Sequence, residues 1–299
     1  MARALRIAGL LDLLIADDPG QILGLARDPR LDRRFEPAGP LLNRIIAGRV
    51  RRVLRIDGRP LPAVAPRAAP GRAERQAELE ARIADRRVVA DDEHLDALAA
   101  HVLGRRDPEA IGPLAQEAVG RLFMPEYRST PGTWAAALLL DAAARSFNPL
   151  RNLVRLITGS VRRARRLLAD RVDRDPAALH TTGIAVHNLV RALDRMRDLA
   201  ARPAGPRGFT AAQAVSICLA APDGVLRQAT AIGATVAGTF RPGTLVLFRL
   251  DAAHAASLQR DIAFMTEEWS RCPAHAWVPA LLAAAWERAA AAPPEGSRP

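Results

Sequence analysis

Cys272 lies in a short polar segment, Trp269–Trp277, that precedes a strongly apolar stretch, Val278–Ala292. The apolar stretch predicts a helix, so the cysteine comes near a helix N-terminus, where unpaired N–H groups gather partial positive charge. The neighbouring Arg271 adds a full positive charge, and both effects favour thiolate over thiol. A thiolate is a metal ligand or a nucleophile. The alternative is an ordinary half-buried cysteine in front of a core helix.

Positive charge comes entirely from arginine in this 299-residue chain, which has a formal net charge of +11 and no lysine. A basic chain would ordinarily suggest nucleic acid or an anionic membrane as a partner. Heavy use of Ala, Arg, Gly and Pro is typical of a GC-rich coding bias, however, and the basic residues are scattered. The densest run, Val161–Arg166, lies in a predicted amphipathic helix, where a solvated face explains it. We therefore expect neither nucleic acid nor a membrane as a partner.

The two cysteines, Cys218 and Cys272, are too few for a disulfide framework or a zinc quartet. At the N-terminus, an apolar run is interrupted by Asp12 and followed by no small-residue cleavage site, so we expect a first helix rather than a signal peptide. No apolar run reaches membrane-spanning length. These features predict a cytoplasmic protein.

Most of the chain is predicted to be helical, because Ala, Leu, Arg and Val dominate and only 4% of residues are aromatic. The four prolines of Arg59–Arg72 mark a linker or mobile loop. Apolar residues recur at helical spacing in Ala2–Ala16, Gln21–Arg27, Leu41–Ile56, Ala73–Arg87, Asp92–Leu103, Pro108–Phe123, Trp134–Arg145 with Thr133 as its cap, Leu150–Thr158, Val161–Val172, Pro176–Ala200, Ala211–Ala220, Ala252–Arg260 and Val278–Ala292.

A small β-region is predicted late in the chain, where three extended segments are separated by turns containing Gly233 and Gly243. The segments are Val225–Thr230, Thr235–Phe240 and Thr244–Leu250. Further upstream, the long helix Pro176–Ala200 has an unusual start around Gly183, and a glycine there indicates close approach to the backbone. The sequence thus predicts a single, mainly α domain over residues 1–299.

The order of these elements resembles the C-terminal half of the cytochrome P-450 superfamily, the thiolate-ligated haem monooxygenases. The shared order is a long helix, a short helix, a turn, a small β-region, a cysteine loop and a final apolar helix. Pro222–Thr230 looks like the family's arginine-bearing strand, and Val236–Leu247 looks like its Pro-x-Gly-Thr-x-Val-type hairpin. By this resemblance, residues 151–299 are the haem-binding-like part and residues 1–150 are a divergent helical part.

The resemblance implies a b-type haem with Cys272 as its axial thiolate, a ligand that pushes electron density toward O–O cleavage. It implies that Arg227 binds one haem propionate, since a guanidinium fork suits a carboxylate, and that Arg271 pairs with the other. Arg227 lies on an otherwise apolar strand. A buried guanidinium there needs an anion in any case.

The resemblance also implies roles for His180, Thr181 and Thr182, which fall where the family keeps its acid–alcohol pair for proton delivery to oxygen. Each has a simpler alternative. His180 would be a surface or satisfied core histidine, and the threonines would only bond to backbone carbonyls one turn back.

Several positions depart from the family's pattern. The family's glutamate and arginine on the helix before the strand would lie near Val215 and Cys218, and neither charge is present. Glu268 replaces the glycine four residues before the ligand, and Met265 replaces the aromatic residue seven before it. The missing charge pair favours peroxide or hydroperoxide chemistry, which needs no electron-transfer partner.

The implied function is a haem-dependent oxidoreductase, monooxygenase or peroxygenase-like, that acts on a small organic substrate with or without an electron-transfer partner. Two alternatives stay open. One is a helical binding or scaffold protein that keeps the shape without the cofactor. The other is a basic helical protein that binds nucleic acid.

Overall fold

The computed structural model describes residues 3–53, 55–56, 59–60, 65–85, 91–146, 148–236 and 238–293. Residues 61–64 of the predicted linker, the last two residues of the helix predicted to reach Arg87, and residue 237 of the hairpin motif lie outside this range. The chain forms two compact units, Met1–Leu79 with Ala221–Pro273, and Glu80–Ala220 with Ala274–Pro299. The prediction of a mainly α protein with a small sheet region is confirmed.

The helices and strands are named in chain order. The strands are β1 (Arg3–Ile7), β2 (Leu11–Ala16), β3 (Leu31–Asp32), β4 (Arg55–Ile56), β5 (Arg59–Pro60), β6 (Val225–Ala229), β7 (Gly233–Thr235), β8 (Gly238–Phe240) and β9 (Leu245–Phe248). The α-helices are α1 (Pro19–Arg27), α2 (Leu41–Val53), α3 (Arg72–Asp85), α4 (Asp92–Val102), α5 (Ile111–Arg121), α6 (Pro131–Arg145), α7 (Pro149–Thr158), α8 (Ser160–Arg171), α9 (Pro176–His180), α10 (Val186–Ala200), α11 (Ala211–Cys218), α12 (Leu250–Ser257), α13 (Arg260–Phe264) and α14 (Trp277–Ala291).

The first unit is built on a five-stranded sheet with the order β1-β2-β9-β6-β3. β2 runs parallel to β9, with Leu14 opposite Val246, and the other three pairings are antiparallel. Leu245 and Phe248 of the central strand β9 are buried, α2 packs against β2, and α1 packs against α12. The sheet therefore joins residues from the two ends of the sequence and holds β6, which carries Arg227, beside β3.

The prediction of a first helix over Ala2–Ala16 is wrong, because residues 3–16 form the hairpin β1–β2. Gly9 turns the chain with a φ of +67°. In β2 the burial alternates strictly, with Asp12, Leu14 and Ala16 buried. The apolar run fits helical and strand periods equally well, and its pairing with β9 decides between them.

Most other predicted elements are present, with differences at their ends. Thr130 rather than Thr133 caps α6, and each threonine side chain bonds to the other's backbone N–H. The helix predicted over Ala252–Arg260 is α12, which ends at Ser257 because Leu258 adopts a left-handed conformation, and α13, which begins at Arg260, was not predicted. Residues 55–56 belong to β4 rather than to the end of α2. The extended segment predicted over residues 235–240 is split between β7 and β8.

Two glycines bring the turn before β9 against the turn before α2. Gly39 and Gly243 have φ values of +85° and +88°, and a Cβ on Gly243 would lie 2.4 Å from the Gly39 backbone nitrogen. Asn43 donates from Nδ2 to the carbonyls of Asp12 (2.7 Å) and Gly243 (2.8 Å). This contact explains the Pro-Gly sequence, because only glycine permits backbones to approach so closely.

The second unit is helical. α10 packs against α4, α5 and α11, and α14 packs against α4 and α11. The buried residues of α10 include Leu189, Leu193 and Met196, at the spacing of one helix face. Within the described residues, no helix combines the length and apolar character that crossing a bilayer requires.

Candidate thiolate and arginine site

Cys272 ends a tight loop that follows α13. Its backbone N–H donates to the Phe264 carbonyl at 2.8 Å, and the N–H of Arg271 donates to the Glu268 carbonyl at 3.0 Å. Met265 starts the loop in a left-handed conformation with φ +51°. Cys272 is half-buried and is not disulfide-bonded. The loop is therefore closed by its own backbone hydrogen bonds, which fix the position of the Cys272 backbone.

The predicted helix N-terminus is displaced from the cysteine. A single 3₁₀ turn, Pro273–His275, follows Cys272 directly, and α14 begins only at Trp277. The partial charge of a helix terminus acts within one turn. Positive charge near the sulfur must come mainly from side chains.

Three buried arginines surround the indole ring of Trp269, three residues before the cysteine. The Cζ atoms of Arg72, Arg227 and Arg33 lie 4.5, 5.4 and 5.5 Å from a ring centroid of Trp269. Each distance is within the range of a cation–π interaction. We call Arg33, Arg72 and Arg227 with Trp269 the arginine cluster.

Neutral oxygens accept the hydrogen bonds that the cluster donates. Arg227 donates to the Ser270 hydroxyl at 2.6 Å and to its neighbour's carbonyl, Leu226, at 3.1 Å. Its Nε is buried and has no acceptor among the described residues. Arg72 donates to the Trp269 carbonyl at 2.5 Å. These bonds hold the guanidinium groups of Arg227 and Arg72 in place without neutralising them.

Burial makes the charge of the cluster costly. The pKa of Arg227 is lowered to about 9, mainly by burial and also by the charge of Arg72, while Asp32 and Glu268 oppose the change. Burial likewise lowers the pKa of Arg33 well below its ordinary value, and the charges of Arg227 and Arg72 add to this effect. Three guanidinium groups thus share too little negative charge, so the cluster is suited to an anion.

A thiolate at Cys272 would supply part of that negative charge. The Cys272 sulfur and Asp32 are the groups that raise the pKa of Arg33, against its burial. The same attraction stabilises the thiolate form of the cysteine. The cluster and the cysteine therefore form one electrostatic site within the first unit.

Asp32 is the main carboxylate of this site and is itself buried. It accepts hydrogen bonds from the backbone N–H groups of Arg33 (2.6 Å) and Arg67 (2.8 Å) and from Nε of Arg34 (3.2 Å). Glu268 is also buried and accepts from Nε of Arg27 at 3.0 Å. This ion pair with Arg27 explains why a glutamate can occupy a position where the family that the sequence resembles has glycine.

His180, Thr181 and Thr182 lie in the second unit, where α9 passes through a π-helical turn, Thr181–Ala185, into α10. The threonine hydroxyls donate to the carbonyls of Ala177 (2.7 Å) and Ala178 (2.8 Å), as the simpler alternative predicted.

The π-helical turn is fixed by a buried glutamine. Nε2 of Gln116 donates to the Thr182 carbonyl at 3.0 Å and to the Thr133 carbonyl at 3.1 Å. A Cβ on Gly183 would lie 3.0 Å from the Leu140 side chain, which confirms the predicted close approach at this glycine. π-helical turns occur frequently at functional sites.

Of the predicted site residues, Arg227 contacts the cysteine loop, through its hydrogen bond to the Ser270 hydroxyl at 2.6 Å. Arg271 is exposed, and its backbone carbonyl accepts from Nε2 of Gln76 at 3.2 Å. Arg33 and Arg72 were not predicted from the sequence to be site residues. All 43 basic residues of the sequence are arginine, and nothing in the local sequence marks these two as buried.

Replacing Asp32 with asparagine should destabilise the chain by about 3 kcal/mol, because it leaves buried guanidinium groups without their main counter-charge. The measurement is urea unfolding at pH 7. The control is Asp96→Asn, which removes an exposed carboxylate paired with Arg288 at 2.5 Å and should cost less than about 1 kcal/mol. Equal losses in the two variants would contradict the assignment of Asp32.

No protein-family model matches this sequence, and no curated protein matches it. The fold is similar to the solved structure of cytochrome P-450SP alpha (CYP152B1) in complex with (R)-ibuprophen, at 15% identity and a TM-score of 0.57, over 97% of this chain and 85% of that one. It is similar to cytochrome P-450EX alpha (CYP152N1) with myristic acid, at 13% identity and TM-score 0.53, over 96% and 82%. It is also similar to cytochrome P-450 MoxA from Nonomuraea recticatena (CYP105), at 15% identity and TM-score 0.53, over 96% and 84%. These likenesses show a cytochrome P-450-like fold.

Proposed function

We propose that this chain is a thiolate-haem protein with Cys272 as the axial ligand of a b-type haem. The observation that carries the proposal is the pairing, within one unit, of a half-buried cysteine with buried guanidinium groups that lack sufficient counter-charge. A thiolate-ligated haem takes one sulfur ligand, and its two propionates take cationic partners; the residues of the first unit fit both needs. When bound, such a haem supplies oxidative chemistry, and the thiolate favours O–O cleavage.

Arg227 is the residue we assign to a haem propionate. Its buried Nε has no acceptor among the described residues, and a carboxylate would satisfy it. Arg33 and Arg72 add positive charge next to it and are candidates for the same anion. Arg271, which is exposed, is proposed for the other propionate.

The reaction we propose is oxidation of a small organic molecule, by oxygen insertion or by peroxide-type chemistry. Two proteins of similar fold were solved with myristic acid and with (R)-ibuprophen, and we propose a small, largely apolar substrate for this chain. Val215 and Cys218, where the resembling family carries a charge pair, are both buried, and burial raises the pKa of the Cys218 thiol to about 12. The absence of a charged side chain at these two positions favours, in our proposal, peroxide-type chemistry that needs no electron-transfer partner.

His180, Thr181 and Thr182 are proposed as the groups that hold or move a proton during turnover. Support comes from the π-helical turn, which interrupts the regular backbone hydrogen bonds at these residues. The threonine hydroxyls donate to backbone carbonyls, and a hydroxyl keeps acceptor lone pairs while it donates.

Substitution of Cys272 by alanine should abolish the spectrum of thiolate ligation. Haemin-loaded wild type, reduced under carbon monoxide, should show the red-shifted Soret band that this ligation gives. The matched control is Cys218→Ala, which removes the other cysteine and should leave the band in place. A wild-type chain that takes up no haemin in a pyridine haemochrome assay would refute the proposal and favour a helical binding protein without cofactor.

Arg227→Leu should weaken haemin binding by about tenfold or more, since a charge-assisted hydrogen bond contributes about 1.5–3 kcal/mol. The same variant should not lower the stability of the haem-free chain, because it removes an undercompensated buried charge. Soret titration and urea unfolding measure the two effects. Arg241→Leu, at a largely exposed arginine, is the control. Loss of stability without loss of haemin affinity would mean that Arg227 is only structural.

Thr181→Val and Thr182→Val separate the two hydroxyls. If either moves protons, its variant should turn over at least about a hundredfold more slowly, at the lower end of the range for general acid–base catalysis. Haemin content should be unchanged. The measurement is product formation per haem, with peroxide and with oxygen plus a reductant. Full activity of both variants under both conditions would contradict a role for these hydroxyls.

A further inference from the structure

Helix α7 exposes an apolar stripe to solvent. Leu150, Leu153, Val154 and Ile157 follow each other at i, i+3, i+4 and i+7, and their exposed fractions are 72%, 50%, 58% and 76%. Leu156 beside them is 63% exposed. A surface helix of a globular protein normally turns such a stripe toward the core. We call these five residues the α7 stripe.

The opposite side of α7 is held by the protein. Nη1 of Arg155 donates to the Ala142 carbonyl at 3.0 Å, and Nδ2 of Asn152 donates to the Ser146 carbonyl at 3.1 Å. The amide oxygen of Asn148 caps the helix by accepting from two backbone N–H groups. These polar contacts fix the helix with its apolar residues outward.

Strong positive charge accompanies the stripe. Residues 142–169 include no acidic residue and seven arginines: Arg145, Arg151, Arg155, Arg162, Arg163, Arg165 and Arg166. Of these, Arg145 is ion-paired with Asp141 at 2.7 Å. Gly159, with φ +61°, turns the chain from α7 into α8, and Nη1 of Arg163 donates back to the Thr158 carbonyl at 2.7 Å. Arg151, Arg162 and Arg166 are exposed. Exposed apolar and basic residues therefore occur together on one helical hairpin.

We infer that the α7 stripe and the arginines around it form a docking surface for an anionic lipid bilayer. A helix with an apolar stripe and arginines on its polar side can lie in the plane of the membrane interface. Each arginine near such a surface contributes electrostatic attraction. This inference replaces the expectation from the sequence that no membrane is a partner, because peripheral docking needs no membrane-spanning helix. It goes beyond the proposed haem chemistry and does not depend on it.

The charge and the apolar character of this surface argue against two other partners. A second copy of the chain, related by a two-fold axis, would bring the same arginine-rich segment against itself. Nucleic acid would account for the arginines but leave the five apolar side chains in water. A bilayer with anionic headgroups satisfies both features at once.

The test is co-sedimentation of the full chain with vesicles. The chain should bind phosphatidylcholine vesicles that contain phosphatidylglycerol about tenfold more tightly than vesicles of phosphatidylcholine alone, and salt should weaken the binding. The double variant Leu150→Gln with Ile157→Gln should bind the mixed vesicles at least about tenfold more weakly. Arg162→Gln with Arg166→Gln should give a similar loss. The control, Ile232→Gln, removes an apolar side chain that is 74% exposed outside this hairpin and should change nothing.

Two results would overturn the inference. One is equal binding to both kinds of vesicle, or binding that the Leu150/Ile157 variant retains in full. The other is a dimer, seen by analytical ultracentrifugation, that this variant dissociates, because the stripe would then be an interface between copies. The substituted side chains are exposed, so circular dichroism should show the wild-type melting temperature for every variant.

Discussion

The burial of three guanidinium groups around Trp269 is the constraint on which the first unit depends. Each group lies within cation–π distance of the indole ring, and burial lowers the pKa of all three arginines. Cation–π contacts of this kind contribute about 2 kcal/mol or somewhat more when desolvated, which is small beside the cost of burying a charge. The buried guanidinium groups therefore require the carboxylate of Asp32 beside them. The positive charge that Asp32 leaves uncompensated favours an anion or a thiolate nearby.

This electrostatic requirement links three parts of the chain that are distant in sequence. Asp32 ends β3, Arg227 lies on β6, and Trp269 and Ser270 precede Cys272 in the cysteine loop. Antiparallel pairing sets Asp32 opposite Gln228, next to Arg227. The sheet and the loop are thus joined by polar bonds as well as by packing. The same bonds hold the guanidinium groups of Arg227 and Arg72 against the segment that ends at Cys272.

Features that depend on the spacing of residues within one short segment could be predicted from the sequence. The turn glycines, the late strands, the apolar final helix and the cysteine loop all follow from short motifs, and they are present with modest shifts at their ends. Arg227 was identified because an arginine stands out on an apolar strand. The hairpin β1–β2 was missed because its apolar run fits two periods and its partner β9 comes more than 200 residues later. Arg33 and Arg72 were missed for a similar reason, since only tertiary packing distinguishes them from the other arginines.

The central claim of the proposed function is that the sulfur of Cys272 ligates a haem iron. X-ray absorption at the iron edge of the haemin-loaded full chain tests this claim most directly, because it reports the atoms bound to iron. Ligation by Cys272 predicts one sulfur among the ligands in the wild type and in Cys218→Ala, and none in Cys272→Ala. An iron site with only nitrogen and oxygen ligands in the wild type would contradict it.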